Sequence, residues 1–380
     1  MSKNIISRRT MLHAASIVPF AAVRGTAANS ALTVGLVGCG NRGTFLGQIL
    51  AEHTQAQLIA MCDLYPEAIA KASRLIGRTS FTPFQDFEKL LATPVDAVMI
   101  ATPVFLHPEH FEAAVQSGKH IYMEKPAAPD VDGCRRVAKA AAQARPGQDV
   151  GFGFQRRHGA VYLSAYKFLQ EGRLGSLQMT SVRFIKSATK IPSSFAAPPK
   201  TFDEKVKSWL RWRTLSGDLI VENNVHLIDV MNWFVGAHPE AASGEGGRKL
   251  QRPGDVRDHG TVAFQYPNGV QGDLCGMTIA PSFHRDVREE FFGSDAYLQT
   301  SELDWQYRIS AKDSFAEKSP HNITIDSIQA FVNRIQSGQT ENTIARGVDS
   351  TLTAILGRLA MDLHKPVTWS ELMASNGWPA

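Results

Sequence analysis

From Leu32 to Val37 the chain is largely apolar and β-branched, then turns through Gly38-Cys39-Gly40-Asn41-Arg42-Gly43 into a helical pattern from Thr44 to His53. In a strand, G-x-G-x-x-G turn and helix, each glycine has its own physical job. Gly38 permits the tight turn, Gly40 lets a pyrophosphate approach the main chain, and Gly43 allows the helix to pack closely on the strand. The amides of Asn41 and Arg42 then point at the phosphates from the positive end of the helix. A second strand, Gln57 to Cys62, ends in Asp63, at about the 20-residue interval expected of the acid that binds the adenosine ribose diol. A carboxylate there accepts both hydroxyls and repels a 2′-phosphate, and Leu64-Tyr65-Pro66-Glu67 brings no cation to hold one. The expected cofactor is therefore NAD, with NADP disfavoured. Asp63 would also serve as a helix cap ahead of Pro66.

The alternation continues with a short strand near Phe81, a helix from Phe84 to Leu91, a strand from Asp96 to Ile100, a helix from Pro108 to Ser117 and a strand from His120 to Met123. A helix from Val131 to Ala144 and a strand from Val150 to Phe154 complete a doubly wound parallel sheet, an α/β Rossmann domain over residues 31–154. Ala101-Thr102-Pro103 and Glu124-Lys125-Pro126 both follow strands at their carboxyl ends, where ligands bind in such sheets. Residues 155–380 read differently. A helix from Ala160 to Glu171 precedes strands at Leu177–Phe184, Val262–Tyr266, Val270–Thr278 and Arg288–Phe292, with a tight hairpin at Tyr266-Pro267-Asn268-Gly269-Val270. This predicts an α+β domain with a large, mostly antiparallel sheet covered on one face by helices near Asn224–Val235, Thr324–Ser337 and Arg346–His364. Lys190 to Lys200, with three prolines, is expected as a lid or arm.

The formal charge of +4 taken alone suggests a polyanionic partner, but its location argues otherwise. Lys3, Arg8, Arg9 and Arg24 stand in the first thirty residues with no acid among them, leaving the rest formally neutral. Ser7-Arg8-Arg9-Thr10-Met11-Leu12, the apolar run Ala14 to Val23 and the small residues from Gly25 to Ala31 have the layout of a twin-arginine export signal over residues 1–30. A periplasmic or secreted protein is expected, with no membrane span, because no segment approaches the ~18 apolar residues one requires. No nucleic-acid motif is present. The four cysteines, Cys39, Cys62, Cys134 and Cys275, lack C-x-x-C spacing and are expected as free buried thiols. Cys39 with Cys62 is the one pairing worth checking, because both end neighbouring strands.

The chemically richest stretch is Ser216-Gly217-Asp218-Leu219-Ile220-Val221-Glu222-Asn223-Asn224-Val225-His226-Leu227-Ile228-Asp229. Glu222 and His226 are four residues apart, so near a helix N-terminus they share one face. Glu222, His226 and Asp229 also suggest a metal site, but bound NAD accounts for the constellation and no metal is expected. Trp209, Trp212 and Arg213 lie upstream, and Arg156 and Arg157 follow the last strand of the first domain. Indole faces stack on sugars and guanidinium groups bind hydroxyls or carboxylates, although core packing explains either Trp alone equally well.

With VGLVGCGNRG, the acid after the second strand, ATPVFLHPEHFEAAVQSGKHIYMEKP and WRTLSGDLIVENNVHLIDVMNWFVG together, the chain resembles the Gfo/Idh/MocA oxidoreductases. The resemblance runs from about Leu32 to at least Gly236. It implies that Gly38, Gly40, Asn41, Arg42, Gly43, Asp63, Thr102, Pro103, His107, Glu124 and Lys125 hold the cofactor, and that Lys125 sits beside the nicotinamide ribose and the substrate hydroxyl. A lysine partly desolvated beside cationic NAD⁺ has its ammonium form disfavoured, which suits it to proton transfer. His226 matches the family histidine opposite that lysine. Glu222 stands where the family has Asp, which lengthens the carboxylate's reach. Arg157, Trp212, Arg213 and His226 are the implied substrate contacts, and a homo-oligomer is expected by analogy.

The expected function is hydride transfer between a sugar, glycoside or cyclic polyol hydroxyl and tightly held NAD, with Lys125, His226 and Glu222 catalytic. Two alternatives stand beside it. One is a redox-neutral, NAD-dependent glycosidase that oxidises, eliminates, hydrates and reduces. The other is a sugar-binding scaffold without turnover.

Overall fold

The computed structural model describes residues 31–187, 197–250, 252–311 and 314–378. The leader expected at 1–30 and residues 190–196 of the expected arm lie outside them.

The first domain alternates β1 (Thr33–Val37), α1 (Asn41–His53), β2 (Gln57–Cys62), α2 (Pro66–Ile76), β3 (Thr82–Phe84), α3 (Phe87–Leu91), β4 (Ala97–Ile100), α4 (His107–Ser117), β5 (His120–Met123), α5 (Val131–Ala141) and β6 (Val150–Phe152). The strands lie in the order β3-β2-β1-β4-β5-β6 and every neighbouring pair is parallel. Helices cover both faces, so β4 is buried at every position and β1 at every position but its first. The chain reverses its direction of travel across the sheet between β1 and β4, and the carboxyl ends of those strands open a crevice there.

Several boundaries differ from the sequence expectation by a few residues, and two of them have a clear local reason. The first helix starts at Asn41 rather than Thr44, because the Thr44 amide already donates to the Gly40 carbonyl at 2.9 Å and the glycine turn forms the first helical turn. The helix expected over 84–91 is a strand followed by a shorter helix. Asp86 caps the latter by accepting from the amides of Glu88 and Lys89.

The second domain contains α6 (Ala160–Gln170), β7 (Leu177–Ile185), α7 (Phe202–Lys207), α8 (Arg213–Ser216), α9 (Leu219–Glu222), α10 (Val225–Val235), β8 (Ala241–Gly247), β9 (His259–Gln265), β10 (Gln271–Met277), β11 (Asp286–Gly293), β12 (Tyr297–Thr300), β13 (Asp304–Arg308), β14 (Ser314–Lys318), α11 (Ile323–Ser337), α12 (Ile344–Leu363), β15 (Val367–Thr368) and α13 (Trp369–Ala374). Nine strands form one sheet, β14-β13-β12-β11-β7-β10-β9-β8-β15. Only β7 and β10 pair in parallel among them; the other neighbours are antiparallel. The hairpin between β9 and β10 turns through Asn268 and Gly269, both with positive φ, as the Asn-Gly pair predicts. β8 escapes a pattern reading because Ala-Ala-Ser-Gly-Glu-Gly-Gly has little intrinsic strand preference. Its Gly244 lies so close to β9 that a Cβ would stand 2.6 Å from the Thr261 carbonyl oxygen.

α10 and α12 cover the second sheet as expected, and α12 also packs on α5 of the first domain. α11 does not. Its Ile328, Phe331 and Val332 enter the core of the first domain beside Leu46, Leu50 and Tyr122, and Tyr122 donates to or accepts from Ser327 at 3.1 Å. The 3.6-residue repeat identified a buried face without saying which sheet buries it. Among the described residues no helix is long and apolar enough to cross a membrane.

Candidate active site

Two of the three glycines in the turn are required by its packing. Gly38 has φ +89°, and a Cβ there would meet the Ala101 carbonyl and the Thr102 amide at 2.6 and 2.8 Å. A Cβ on Gly43 would lie 1.8 Å from the Gly38 carbonyl oxygen, so only hydrogen lets α1 sit against the turn. At Gly40 a Cβ would meet no heavy atom within 4 Å. Packing therefore does not require the second glycine, but a phosphate approaching the main chain does. The amides of Asn41, Arg42 and Gly43 open α1 without intrahelical acceptors and face the same space. Asp63, at the end of β2, accepts from the Cys39 amide at 2.7 Å and the Tyr65 amide at 3.0 Å, which fixes its carboxylate beside the turn. These features fit the pyrophosphate and adenosine ribose of NAD, and NAD is the cofactor; when bound it supplies the hydride acceptor.

Cys39 and Cys62 are free thiols, as are Cys134 and Cys275. Cys39 Sγ contacts the Cys62 carbonyl at 3.6 Å. Burial, then the nearby Asp63, raises both thiols, Cys62 to about 12.

The two expected cofactor loops at the ends of β4 and β5 are tied together by His107. Its Nδ1 lies 2.7 Å from the Pro126 carbonyl and its Nε2 2.9 Å from the Thr102 carbonyl, and the ring is fully buried. Burial pushes its pKa down despite those carbonyls, so the neutral ring serves one of them with its single proton. Both nitrogens are turned to the protein's own main chain; His107 is placed behind the cofactor loops rather than in the cleft. Thr102 Oγ1 meets His110 Nδ1 at 3.1 Å, and the Pro103 carbonyl accepts from the Leu106 amide. The Arg42 side chain turns away from the phosphate side of its own amide and binds buried Glu124, Nε to Oε1 at 2.9 Å, which ties the glycine turn to the end of β5.

Lys125 follows Glu124 and is joined to Pro126 by a cis peptide. Its Nζ donates to Glu222 Oε1 at 2.8 Å and to the Glu222 carbonyl at 2.5 Å. The second contact depends on a break in the helix. Glu222 ends α9, Asn223 and Asn224 form a turn, and α10 begins at Val225. An unbroken helix would give the Glu222 carbonyl to the amide of residue 226; here Lys125 takes it. Glu222 and His226 are thus on two helical pieces rather than one face, and Glu222 Oε2 accepts from Asn223 Nδ2. His226 packs edge-on to Phe154, with centroids 5.9 Å apart, and its Nδ1 is buried with no hydrogen-bond partner among the described residues. Burial, then the charges of Lys125, Arg156, Arg42 and Lys186, holds its pKa far below the usual value, so the ring is neutral.

The remaining expected substrate contacts are already engaged elsewhere. Arg157 pairs bidentately with buried Asp229, both contacts 2.8 Å, and Ser350 donates to the same carboxylate. Asp229 is therefore turned from Glu222 and His226 to Arg157. Arg213 binds Asp362 and approaches Asp218 at 3.4 Å. Trp212 donates from Nε1 to Ser208 at 3.1 Å, with Lys205 over its ring. Arg156 is buried against Glu289 at 2.6 Å and Glu302 at 3.2 Å.

α7 supplies a contact that the sequence reading missed. Tyr65, two residues beyond Asp63, donates to Asp203 at 2.6 Å, Phe105 and Phe202 meet edge-on at 6.1 Å, and Lys207 lies over the Tyr65 ring. A cation does therefore arrive near Asp63, but Asp203 pairs with it at 3.2 Å. Nothing local signals it, because the residues involved lie far apart in the chain.

Residues 32–152 match the description "Oxidoreductase family, NAD-binding Rossmann fold", and residues 162–299 match "GFO/IDH/MocA C-terminal domain". An inositol 2-dehydrogenase of Rhizobium meliloti is 25% identical over 311 residues, 80% of this chain and 86% of that one. The scyllo-inositol 2-dehydrogenase (NAD(+)) of Bacillus subtilis is 25% identical over 316 residues, 80% of this chain and 84% of its own. In three dimensions, levoglucosan dehydrogenase in complex with NADH and levoglucosan superposes with a TM-score of 0.74 at 20% identity, covering 89% of this chain and 99% of that one. The myo-inositol 2-dehydrogenase of Lactobacillus plantarum gives 0.71 at 21% identity with the same coverage. With both of its domains matched and its dinucleotide turn intact, the chain belongs to the Gfo/Idh/MocA family of NAD-binding oxidoreductases.

Proposed function

We propose that the protein oxidises a ring hydroxyl of a sugar, glycoside or cyclic polyol, the carbinol hydride passing to NAD and the hydroxyl proton to Lys125. The observation that carries this reading is the Lys125 ammonium held by both the carboxylate and the carbonyl of Glu222 at the open end of β5. Glu222 Oε1, at 2.8 Å, together with the Glu222 carbonyl, fixes where the Lys125 side chain ends. Neutral His226 presents an imidazole to the same space and orients the hydroxyl. Three of the proteins named above carry inositol dehydrogenase names, which supports a polyhydroxylated ring as substrate. The test is a panel of inositols, pyranoses and anhydrosugars with added NAD, read by NADH fluorescence. Ketone and NADH formed in equal amounts support net oxidation. Cleavage of a nitrophenyl glycoside without NADH release replaces it with the redox-neutral glycosidase cycle.

We also propose that residues 1–30 direct twin-arginine export, on the strength of Arg8-Arg9 and the apolar run behind them. Replacing both arginines with lysine should keep the protein in the cytoplasm; unchanged export would remove the leader reading. An exported dehydrogenase must retain its cofactor, so purified protein should carry NAD detectable by mass spectrometry.

A further inference from the structure

Among the described residues, one cation of the cleft, Lys186, has no carboxylate partner. Val182, Phe184 and Lys186 follow one another at the two-residue repeat of β7, so they point to the same face of the sheet. Val182 and Phe184 are buried there in the core shared with α10, and Lys186 is the next position on that face, just past the strand end at Ile185. β7 runs parallel to β10, with Phe184 opposite Gly276, and the Lys186 amide donates to the Met277 carbonyl at 3.0 Å. Asn224 sits over Gly276, where a Cβ would lie 2.5 Å from Asn224 Oδ1. Asn224 belongs to the helix break that turns Glu222 toward Lys125, so Lys186 stands at the rim of the Lys125, Glu222 and His226 cluster.

Its ammonium lies 4.4 Å from the centroid of the Phe184 ring and has no carboxylate within ion-pair distance among the described residues. The acids nearby are bound to other cations: Glu124 to Arg42, Glu222 to Lys125, and Glu289 and Glu302 to Arg156. Arg285, on the loop between β10 and β11, reaches Glu302 only at 4.0 Å. That loop touches Lys186 through the Ala280 amide, which donates to the Lys186 carbonyl at 3.3 Å. Burial lowers the Lys186 pKa; Glu222 opposes that shift, and the like charges of Arg285 and Lys125 add to it. A partly buried charge without a counter-ion is costly, and it persists where a ligand supplies the counter-ion.

We propose that Lys186, with Arg285 beside it, forms an anion subsite of the substrate pocket, so that the ring presented to Lys125 carries a negatively charged substituent, a carboxylate or a phosphate ester. The inference rests on the dehydrogenase reading for the place of the ring, and its test is binding rather than turnover. Calorimetric titration of the NADH-saturated protein with glucuronate, glucose 6-phosphate and glucose separates the sources of the anion. One of the two charged sugars should bind at least about tenfold more tightly than glucose, the size of a charge-assisted hydrogen bond. Lys186→Met and Lys186→Gln should each erase that preference while leaving the dissociation constant of glucose within about threefold, and Lys186→Arg should restore it. Equal affinity of the wild type for all three sugars, or a loss in Lys186→Met that is the same for all three, overturns the subsite. Lys186-dependent anion binding without any NADH formation when glucuronate, glucose 6-phosphate and related sugar acids and sugar phosphates are added to the substrate panel sustains the subsite and removes the dehydrogenase reading instead.

Discussion

The two sides of the cleft are built on different principles. On the cofactor side one continuous turn, Gly38 to Gly43, opens α1 with main-chain amides, and one acid, Asp63, is fixed beside it by the Cys39 amide. On the substrate side the groups come from β5, the α9–α10 break and the end of β7, and are set by charge pairs whose members lie tens to hundreds of residues apart. Main-chain recognition requires only that a turn form; side-chain recognition requires that distant elements dock first. The first kind is conferred by a short motif and tolerates change around it, whereas the second is vulnerable at any one of its ion pairs.

Lys125 joins the two sides and gives the sharpest test of the contrast. Lys125→Met should lower kcat by about 10²- to 10⁴-fold, the usual contribution of a positioned acid/base group. The dissociation constant for NAD, measured by fluorescence titration, should stay within about threefold, because the glycine turn does not involve this side chain. Loss of NAD binding of the same size would mean that the two sides are one site.

Arg156→Met probes the substrate side alone. It strands Glu289, which is fully buried and also accepts from Tyr162 and Thr300. Removing one member of a buried ion pair costs about 3–5 kcal/mol, readable as a lower midpoint in chemical denaturation. Smaller loss would show that water reaches Glu289 and that the pairs on this side are less essential than their burial indicates.

The difference also explains what could be read from the residues alone. The parallel sheet, the glycine turn and Asp63 were legible because each is a local pattern with one physical solution. The Glu222 and His226 spacing predicted one shared helix face, and the structure places the two residues on separate helical pieces instead. Two asparagines interrupt the helix, and the carbonyl they free finds Lys125, 97 residues earlier. That Arg157 pairs with Asp229 and Arg213 with Asp362 was not legible, because neither acid is a sequence neighbour of its arginine. α11 was visible as an amphipathic helix, yet its sheet could not be, since a periodicity carries no address.

The glycines allow the cofactor side to be dissected without its ligand. Gly40→Ala should leave stability within about 1 kcal/mol, the range of a helix N-cap change, because its Cβ meets nothing and Gly40 φ is −69°. It should still weaken NAD binding by about tenfold or more, because the methyl occupies the pyrophosphate's approach. Gly43→Ala should instead lose about 1–3 kcal/mol of stability through overpacking. Equal effects of the two would show that Gly40 is also a packing residue.

Two buried histidines, His110 beside Thr102 and His158 beside Arg157, make the stability pH-dependent. Burial, with His107 adding to it, lowers His110 to about 4; burial, with Arg334, Arg346 and Arg157 adding to it, lowers His158 to about 4. Each is neutral in the fold and charges more readily when unfolded. The stability each confers is full above the unfolded value near 6.5 and is lost as pH falls from there to about 4, by about 1.4 kcal/mol per unit at most. Denaturation at pH 7 and pH 5 should show this loss, and His110→Gln and His158→Gln should each reduce it. Burial is the larger cause of both shifts, and added salt should shrink the His158 share more, because three arginines add to that one.

The smallest effect concerns α7, where the second domain touches the first beside Asp63. Tyr65→Phe removes the hydrogen bond to Asp203 while keeping the ring under Lys207. A single such bond contributes about 0.5–1.5 kcal/mol, so NAD should leave about 2- to 12-fold faster in a stopped-flow displacement with excess NADH. Phe202→Ala, which removes the edge-on contact with Phe105, should act in the same direction. Because neither residue belongs to the glycine turn or to the Lys125 cluster, faster release in both variants with kcat for a saturating substrate unchanged or raised would assign α7 to cofactor retention. An unchanged release rate would leave the main-chain turn and Asp63 as sufficient to hold the dinucleotide, and would make the two sides of the cleft more independent than the Tyr65–Asp203 bridge suggests.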